Sequence, residues 1–257
     1  MSSLQWTSAR RTFPNTGFKL LDSSVPIEEE TLPTYIPEKY YPVQQGEVFH
    51  ERYQVLVKLG FGTTSTIWLS RDLLESRYVA LKVYVTGNKQ NNHEVEIYEH
   101  LNSIQANHPG PRLIRKLFDH FSIEGPHDTC PFSGKVQNVN LDQDLQLRNL
   151  LLPAPNIEKL SRFEELEVQT PSPRKLLKDR TIYASVGYLP TKGLPLSSDF
   201  GEARFGDREN SEDIMPTVYR APEVVLKANW DHDVDIWGVA MLAWDLVSSH
   251  ILFHGHQ

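Results

Sequence analysis

Asp199-Phe200-Gly201 sets a carboxylate in a tight Phe-Gly turn, and Ala221-Pro222-Glu223 begins 20 positions after Gly201. An Asp so placed can hold a divalent cation that bridges nucleotide phosphates, and the segment between the two tripeptides is long enough to present a peptide hydroxyl to them. A three-residue string recurs by chance, so its weight comes from what stands upstream and in what order. Asp144-Leu145-Gln146-Leu147-Arg148-Asn149 holds a carboxylate and an amide five apart. That spacing suits a loop in which Asp144 accepts a hydroxyl proton and Asn149 ligates a metal, although a plain polar loop before Leu150-Leu151-Leu152 would look the same. Mg2+ takes few protein oxygens and fills its shell from phosphate, which fits one Asn and one Asp, Asn149 and Asp199.

Further upstream, Gly60-Phe61-Gly62-Thr63-Thr64-Ser65 with Ile67 makes a glycine turn between two strand-like runs. Glycines let a backbone approach a polyphosphate without Cβ obstruction. A dinucleotide fingerprint would need a helix after the turn, so that reading fails. Val79-Ala80-Leu81-Lys82 then places a lysine in an apolar strand. A buried ammonium needs a carboxylate, and Glu94 at the start of the next helix is the natural partner; Glu96 is the competitor, set further from the apolar stripe. A snorkelling edge-strand lysine is the bland alternative for Lys82.

The elements that position these groups follow from periodicity. Residues 1–50, with Pro14, Pro26, Pro33, Pro37 and Pro42, read as an extended arm. Tyr53–Leu59, Ser65–Leu69 and Tyr78–Val85 read as strands, and Leu113–Ile123 as a further strand or strand pair. Asn92 is the expected N-cap of a helix starting near His93, its stripe carried by Val95, Ile97, Tyr98 and Leu101. Glu158–Val168 reads as an amphipathic helix, and Asp235–Ser248, apolar on nearly every side, as a buried one. The expected domains are the arm, a β-rich lobe over 51–130, and a helical lobe over 131–257 with an insertion at about 153–193.

Composition sets outer bounds. A hydrophobic share of 39% with five Trp, ten Tyr and eleven Phe among 257 residues argues for a folded chain. The net charge of −7 excludes bulk affinity for nucleic acid or anionic membrane and suits a basic peptide partner, or simple solubility. Cys130 is the single cysteine, so no internal disulfide forms. No signal peptide or membrane-spanning run is visible, and the expected location is the cytoplasm, the nucleus or both.

The ordered set Gly60/Gly62, Lys82, Glu94, Asp144…Asn149, Asp199-Phe200-Gly201, Ala221-Pro222-Glu223 and Asp235-Ile236-Trp237 resembles the eukaryotic protein kinases over 53–257. Tyr219-Arg220 before Ala221 looks like the branch that contains the cyclin-dependent, MAP and SR-protein kinases. The long stretch between Asn149 and Asp199, with Gln143 before Asp144, looks most like the SR-protein kinases of fungal type. The resemblance implies an α+β bilobal fold with a β-rich first lobe and a mainly helical, truncated second lobe. It implies ATP and Mg2+ as cofactors and basic Arg/Ser-rich proteins as substrates. Leu59, Gly60, Phe61, Gly62, Thr63, Ser65, Ile67, Ala80, Lys82 and Glu94 would surround the nucleotide. Lys82 would contact the α- and β-phosphates, Asp144 would orient the acceptor hydroxyl, and Asn149 and Asp199 would hold the metal.

The chain departs from the family at several points. Asp142 replaces a His, Gln146 a Lys and Gln143 an Arg, so any activity is expected to be independent of loop phosphorylation, with Ser211→Ala and Thr217→Ala leaving rates unaltered. Only 22 residues separate Phe121 from Asp144, whereas a hinge strand and two helices need on the order of 40. The hinge strand, both helices and the later helices of the second lobe are therefore expected to be missing, leaving Glu223 buried without its Arg. Two alternatives compete with an active kinase: a catalytically impaired relic acting as a nucleotide-binding or scaffold protein, and a small-molecule kinase of the aminoglycoside type. Tyr219-Arg220-Ala221-Pro222-Glu223 argues against the last, since a small substrate needs no peptide-docking segment.

Overall fold

The computed structural model describes residues 9–86, 90–104, 107, 110–125, 132–137, 140–141, 150–153, 155–186, 196–197, 200, 203–204, 210–248 and 252–253. The chain divides into two compact units, Met1–Asp199 and Phe200–Gln257.

In the first unit a six-stranded sheet is built from β1 (Val48–Phe49), β2 (Tyr53–Phe61), β3 (Ser65–Asp72), β4 (Arg77–Tyr84), β5 (Leu117–Ile123) and β6 (Phe132–Gln137). Its order is β1-β2-β3-β4-β6-β5, and each neighbouring pair is antiparallel. Helix α1 (Gln90–Ser103) connects β4 to β5. β-branched and aromatic residues fill the strands and pack on both faces, because both faces are covered. One face carries Tyr53, Val55, Trp68, Val79, Leu81 and Val83 against Val43 and Phe49 of the N-terminal arm and Tyr183. The other carries Leu56, Val57, Leu69 and Tyr78. The β3–β4 hairpin is tied by the buried carboxylate of Asp72. It accepts two bonds from Arg52 at 2.7 Å, one from Arg77 at 3.3 Å, and the amides of Leu74 and Glu75.

Two expectations need correction here. The hinge strand is not missing: Phe132–Gln137 forms β6, paired with both β4 and β5, beyond the boundary at 130 expected for the first lobe. Gly134 disguised it, since glycine reads as a strand breaker. In the ladder Gly134 lies opposite Phe121, and a Cβ there would meet the Phe121 ring at 2.8 Å, so only glycine fits beneath that ring. The helix, too, begins earlier than expected, at Gln90, so Asn92 is within α1 and is not its cap.

Among the described residues no helix intervenes between β6 and the next elements, β7 (Asn140–Leu141) and β8 (Leu150–Pro153). Helix α2 (Ile157–Gln169) follows, capped by the Asn156 side chain, which accepts the Lys159 amide at 3.1 Å. Next come the hairpin of β9 (Arg174–Leu176) and β10 (Thr181–Tyr183), and then β11 (Leu196–Ser197). β11 pairs antiparallel with β8, which also pairs with β7.

The arm packs on the first sheet face through Val43 and Phe49 and on the other through Phe13, and is largely extended but for 3-10 turns at Glu28–Thr31 and Pro37–Lys39. Three successive acids pin it: Glu28 to Ser185, Glu29 to the buried Lys58 and Glu30 to Lys175 at 2.8 Å.

The second unit holds α3 (Pro222–Val225) and α4 (Asp233–Val247). Ala221, Val224, Trp230 and Val234 form its core. Tyr219 donates to Asp245, and the Trp237 indole N–H donates to the Tyr219 carbonyl at 3.1 Å. The expectation of a buried α4 is overturned: Ile236 is 66% and Val247 85% exposed, and only Val234 and Met241 are buried. The described residues supply packing partners for a single face of this helix, while its apolar residues run all round. Glu223 is only partly buried, so the penalty expected for an unpaired buried carboxylate does not arise. No described helix is long and apolar enough to cross a membrane.

Candidate nucleotide site

Strand register does the positioning. Gly60 lies opposite Ile67, Ile67 opposite Lys82, and Lys82 opposite Lys135, so these four form one row across β2, β3, β4 and β6. Directly paired residues of antiparallel strands share a face. The neighbouring row, two residues along on the same face, is Val57, Leu69, Ala80 and Gln137. The first row carries glycine and two ammonium groups; the second is apolar until Gln137. β4 is flanked by β3 and β6, so Lys82 is not a snorkelling edge residue.

The turn joining β2 to β3 is closed by the Gly62 amide, which donates to the Ser65 carbonyl at 2.8 Å. A Cβ built on Gly60 or Gly62 would meet nothing within 4 Å, so the space over both glycines is open to a ligand. Thr63 is exposed at the tip, Ser65 is buried, and Leu59, Phe61 and Ile67 are half-buried. From the arm, the Tyr40 hydroxyl reaches the carbonyls of Gly62 and Thr63 at 3.1 and 3.3 Å.

Helix α1 brings Glu94 to this row. Glu94 is 3% exposed, whereas the Glu96 side chain is 66% exposed and faces His93. Burial alone would raise the Glu94 pKa. The ammonium groups of Lys82 and Lys135, with hydrogen bonds from Lys135 and Tyr84, overcome that and hold it below the usual carboxylate value. Lys135 donates at 2.7 Å and the Tyr84 hydroxyl at 2.6 Å, both to the same oxygen, Oε2. The Tyr84 ring lies under both lysines, 4.8 Å from the Lys82 Nζ and 4.5 Å from the Lys135 Nζ. Lys135 and Tyr84 escaped the sequence reading. Lys135 could be found only through the Gly134–Phe121 pairing that places it opposite Lys82.

Asp144, Asn149, Asp199 and Gly201 lie outside the described residues, as do Asp142, Gln143, Gln146, Arg148 and Cys130. What is described is the frame around the candidate metal ligands. Ser197 pairs with Leu150, so the strand that follows Asn149 and the strand that leads to Asp199 are hydrogen-bonded to each other. The Arg115 amide donates to the Ser197 carbonyl at 2.8 Å, which ties that ladder to the segment entering β5.

The apolar row has a cover. Leu160 of α2 packs with Leu56, Val57, Leu69 and Tyr78, and Leu59 and Val186 close against the cluster. Glu164, one turn along α2, accepts the Tyr78 hydroxyl and Arg71 at 3.2 Å. Burial and that carboxylate push the Tyr78 phenol up to about 12. The Val186 amide donates to the Lys58 carbonyl at 3.0 Å, beside the start of the glycine turn.

No protein-family model matches the chain. Individual proteins do. A serine/threonine protein kinase of Aspergillus fumigatus is 40% identical over 283 aligned residues, spanning 98% of this chain and 72% of the relative. The serine/threonine-protein kinase SRPK of Physarum polycephalum is 24% identical over 93% of this chain and 69% of its own length. SRSF protein kinase 3 of Mus musculus is 36% identical, but over 38% of this chain and 18% of its own. Among solved structures, a crystallographic kinase domain superposes with a TM-score of 0.56 over 85% of this chain and 71% of that one, at 18% identity. The fold is the α+β kinase fold, and the chain belongs to the serine/threonine protein kinase family.

Proposed function

We propose that this chain transfers a phosphoryl group from Mg-ATP to Ser or Thr hydroxyls of basic, Arg/Ser-rich protein substrates, in the manner of the SR-protein kinases and in the regulation of mRNA splicing. The observation that carries the reading is the row Gly60–Ile67–Lys82 with Glu94 buried beside it. Open space above two glycines and an ammonium in the same row suit a polyphosphate. Leu59, Ile67 and Ala80, which offer a phosphate nothing, suit the base.

In this reading Asn149 and Asp199 hold the metal, which neutralises charge on the transferring phosphoryl group. The chain's own contribution is placement: Lys82 binds phosphate oxygens, Glu94 orients Lys82, and Asp144 accepts the hydroxyl proton of the substrate. The acidic balance of −7 favours a basic peptide. A cytoplasmic or nuclear location, and no direct contact with nucleic acid or membrane, belong to the same proposal.

A second reading, a nucleotide-binding or scaffold protein with impaired catalysis, is favoured by one observation: Leu160 and Val186 pack in one cluster with Val57, Leu69 and Leu59, the last of which is assigned to the base above. Phosphotransfer to an Arg/Ser peptide, run beside Asp144→Asn and Lys82→Met, tests the first reading. Activity in the unmodified chain that both variants lose supports it. A chain that Mg-ATP stabilises, by about 2.7 kcal/mol at 100-fold excess over Kd, yet that transfers nothing, supports the second. No stabilisation and no transfer removes both enzyme and nucleotide binding.

A further inference from the structure

We propose that Lys135 is a positioning residue for the phosphate site: it holds Glu94, and with it α1, against the sheet independently of Lys82. The inference deepens the nucleotide-site reading above and rests on it. Its basis is a cluster of four groups. Lys135 is 1% exposed and lies directly across the ladder from Lys82. Its ammonium donates to Oε2 of Glu94 at 2.7 Å, and the Tyr84 hydroxyl meets the same oxygen at 2.6 Å. Two like charges so close repel, and two features offset this. The Glu94 carboxylate bears on both lysines, and the Tyr84 ring offers its negative face to both, at 4.8 and 4.5 Å.

The sum of charges explains what the second lysine adds. With Lys82 alone, Glu94 would cancel the row's only cation when no nucleotide is bound. With Lys135 present, two ammonium groups share one carboxylate, and a net positive charge remains to meet a polyphosphate. Lys135 itself is too deeply buried to be the group that meets it; it anchors the carboxylate, and Lys82 stands in the more exposed position of the row. Helix α1 therefore stays docked whether or not Lys82 engages phosphate.

Amide hydrogen exchange on the nucleotide-free chain tests this. Loss of a charged hydrogen bond predicts that Lys135→Met speeds exchange across 94–103 by about tenfold or more, while Lys135→Arg stays within about threefold of the unmodified chain. Lys82→Met should also leave these amides within about threefold yet weaken Mg-ATP binding measured by calorimetry. The proposal is overturned if Lys135→Met leaves α1 exchange unchanged, if Lys135→Arg fails to preserve it, or if Lys82→Met accelerates it as much. Should Lys135→Met unfold the chain, Lys135→Met/Glu94→Met removes the stranded carboxylate and should melt above the single variant; a double variant no more stable than the single one also overturns it. Failure of the nucleotide reading looks different: the unmodified chain would bind no Mg-ATP while the exchange pattern held.

Discussion

Two rows of the same sheet face, one step apart, have opposite characters. Gly60–Ile67–Lys82–Lys135 carries two ammonium groups at one end, is open above the glycine at the other and is only partly covered. Val57–Leu69–Ala80–Gln137 is apolar over three strands, and Leu160 of α2 packs over its Val57 and Leu69. The contrast separates two demands that a nucleotide makes on one surface. Phosphates need cations and close backbone approach, which a strand ladder supplies through register. A base needs an apolar slot, and apolar surface left open in water is covered by whatever segment can reach it. Here that segment is the stretch between Asn149 and Asp199, which contains α2.

The largest effect should come from disturbing that cover. Leu160→Ala removes a buried side chain and should cost about 2–4 kcal/mol of stability. It should also raise the affinity for ATP relative to that for inorganic tripolyphosphate, because only ATP has a base to seat. Thermal melts with each ligand measure both effects. An unchanged ratio would mean that Leu160 supports the fold without competing for the base.

Lys82→Met probes the other row. Losing a charge-assisted bond of about 2–3 kcal/mol should weaken Mg-ATP and tripolyphosphate alike, roughly 30- to 150-fold. The ligand-free melting temperature should move far less than in Leu160→Ala. Titration calorimetry on both ligands decides; a loss confined to ATP would assign Lys82 to the base side and break the comparison.

The phosphate row was legible in the sequence up to Lys82 and its Glu94, which have local signatures, and not at Lys135, which has none. A glycine pair interrupts a strand pattern, a lysine interrupts an apolar strand, and a glutamate opens the next helix. Register then brought together residues whose spacing alone could not say that they meet. The cover was not legible. That Glu158–Val168 reads as an amphipathic helix follows from its own period, but which surface its stripe meets depends on Leu160 finding Leu56 and Leu69, 104 and 91 positions upstream of it. β6 was missed for a related reason, since the value of Gly134 lies in the Phe121 ring packed over it. The same holds for α4, whose apolar residues imply burial but do not name a partner.

Acid should separate the two rows as well. Burial opposes ionisation of Glu94, yet Lys82, Lys135 and Tyr84 hold its pKa below the ordinary 4.5; Arg52 and two amides do the same for Asp72 against an ordinary 3.8. A carboxylate whose folded pKa is depressed contributes stability that is fully present above its unfolded value and lost as the pH falls through the folded one. Stability should thus be level above about pH 5 and decline below pH 4.5, and Glu94→Gln should flatten part of the decline. The apolar row carries no such group, so Leu160→Ala should shift the curve down without changing its shape. A pH series of urea melts checks this, and a changed shape in Leu160→Ala would couple the rows.

The smallest expected effect concerns the edge of the phosphate row. Tyr40 belongs to the arm, but its hydroxyl donates toward the Gly62 and Thr63 carbonyls, and the Thr86 amide nearby donates to the Lys39 carbonyl at 3.0 Å. The arm thereby fixes the glycine turn from the face opposite the ligand, where Glu29 also holds Lys58. Tyr40→Phe deletes one neutral hydrogen bond of about 1 kcal/mol and leaves the ring packed. If the turn is held for phosphate, the variant should weaken tripolyphosphate and Mg-ATP equally, by up to about fivefold. Amides 61–65 should exchange faster while those of α1 do not. Were the arm merely a cover for the sheet, stability would fall slightly and both affinities would stay where they were, because a turn that closes through its own Gly62–Ser65 bond would need no outside support.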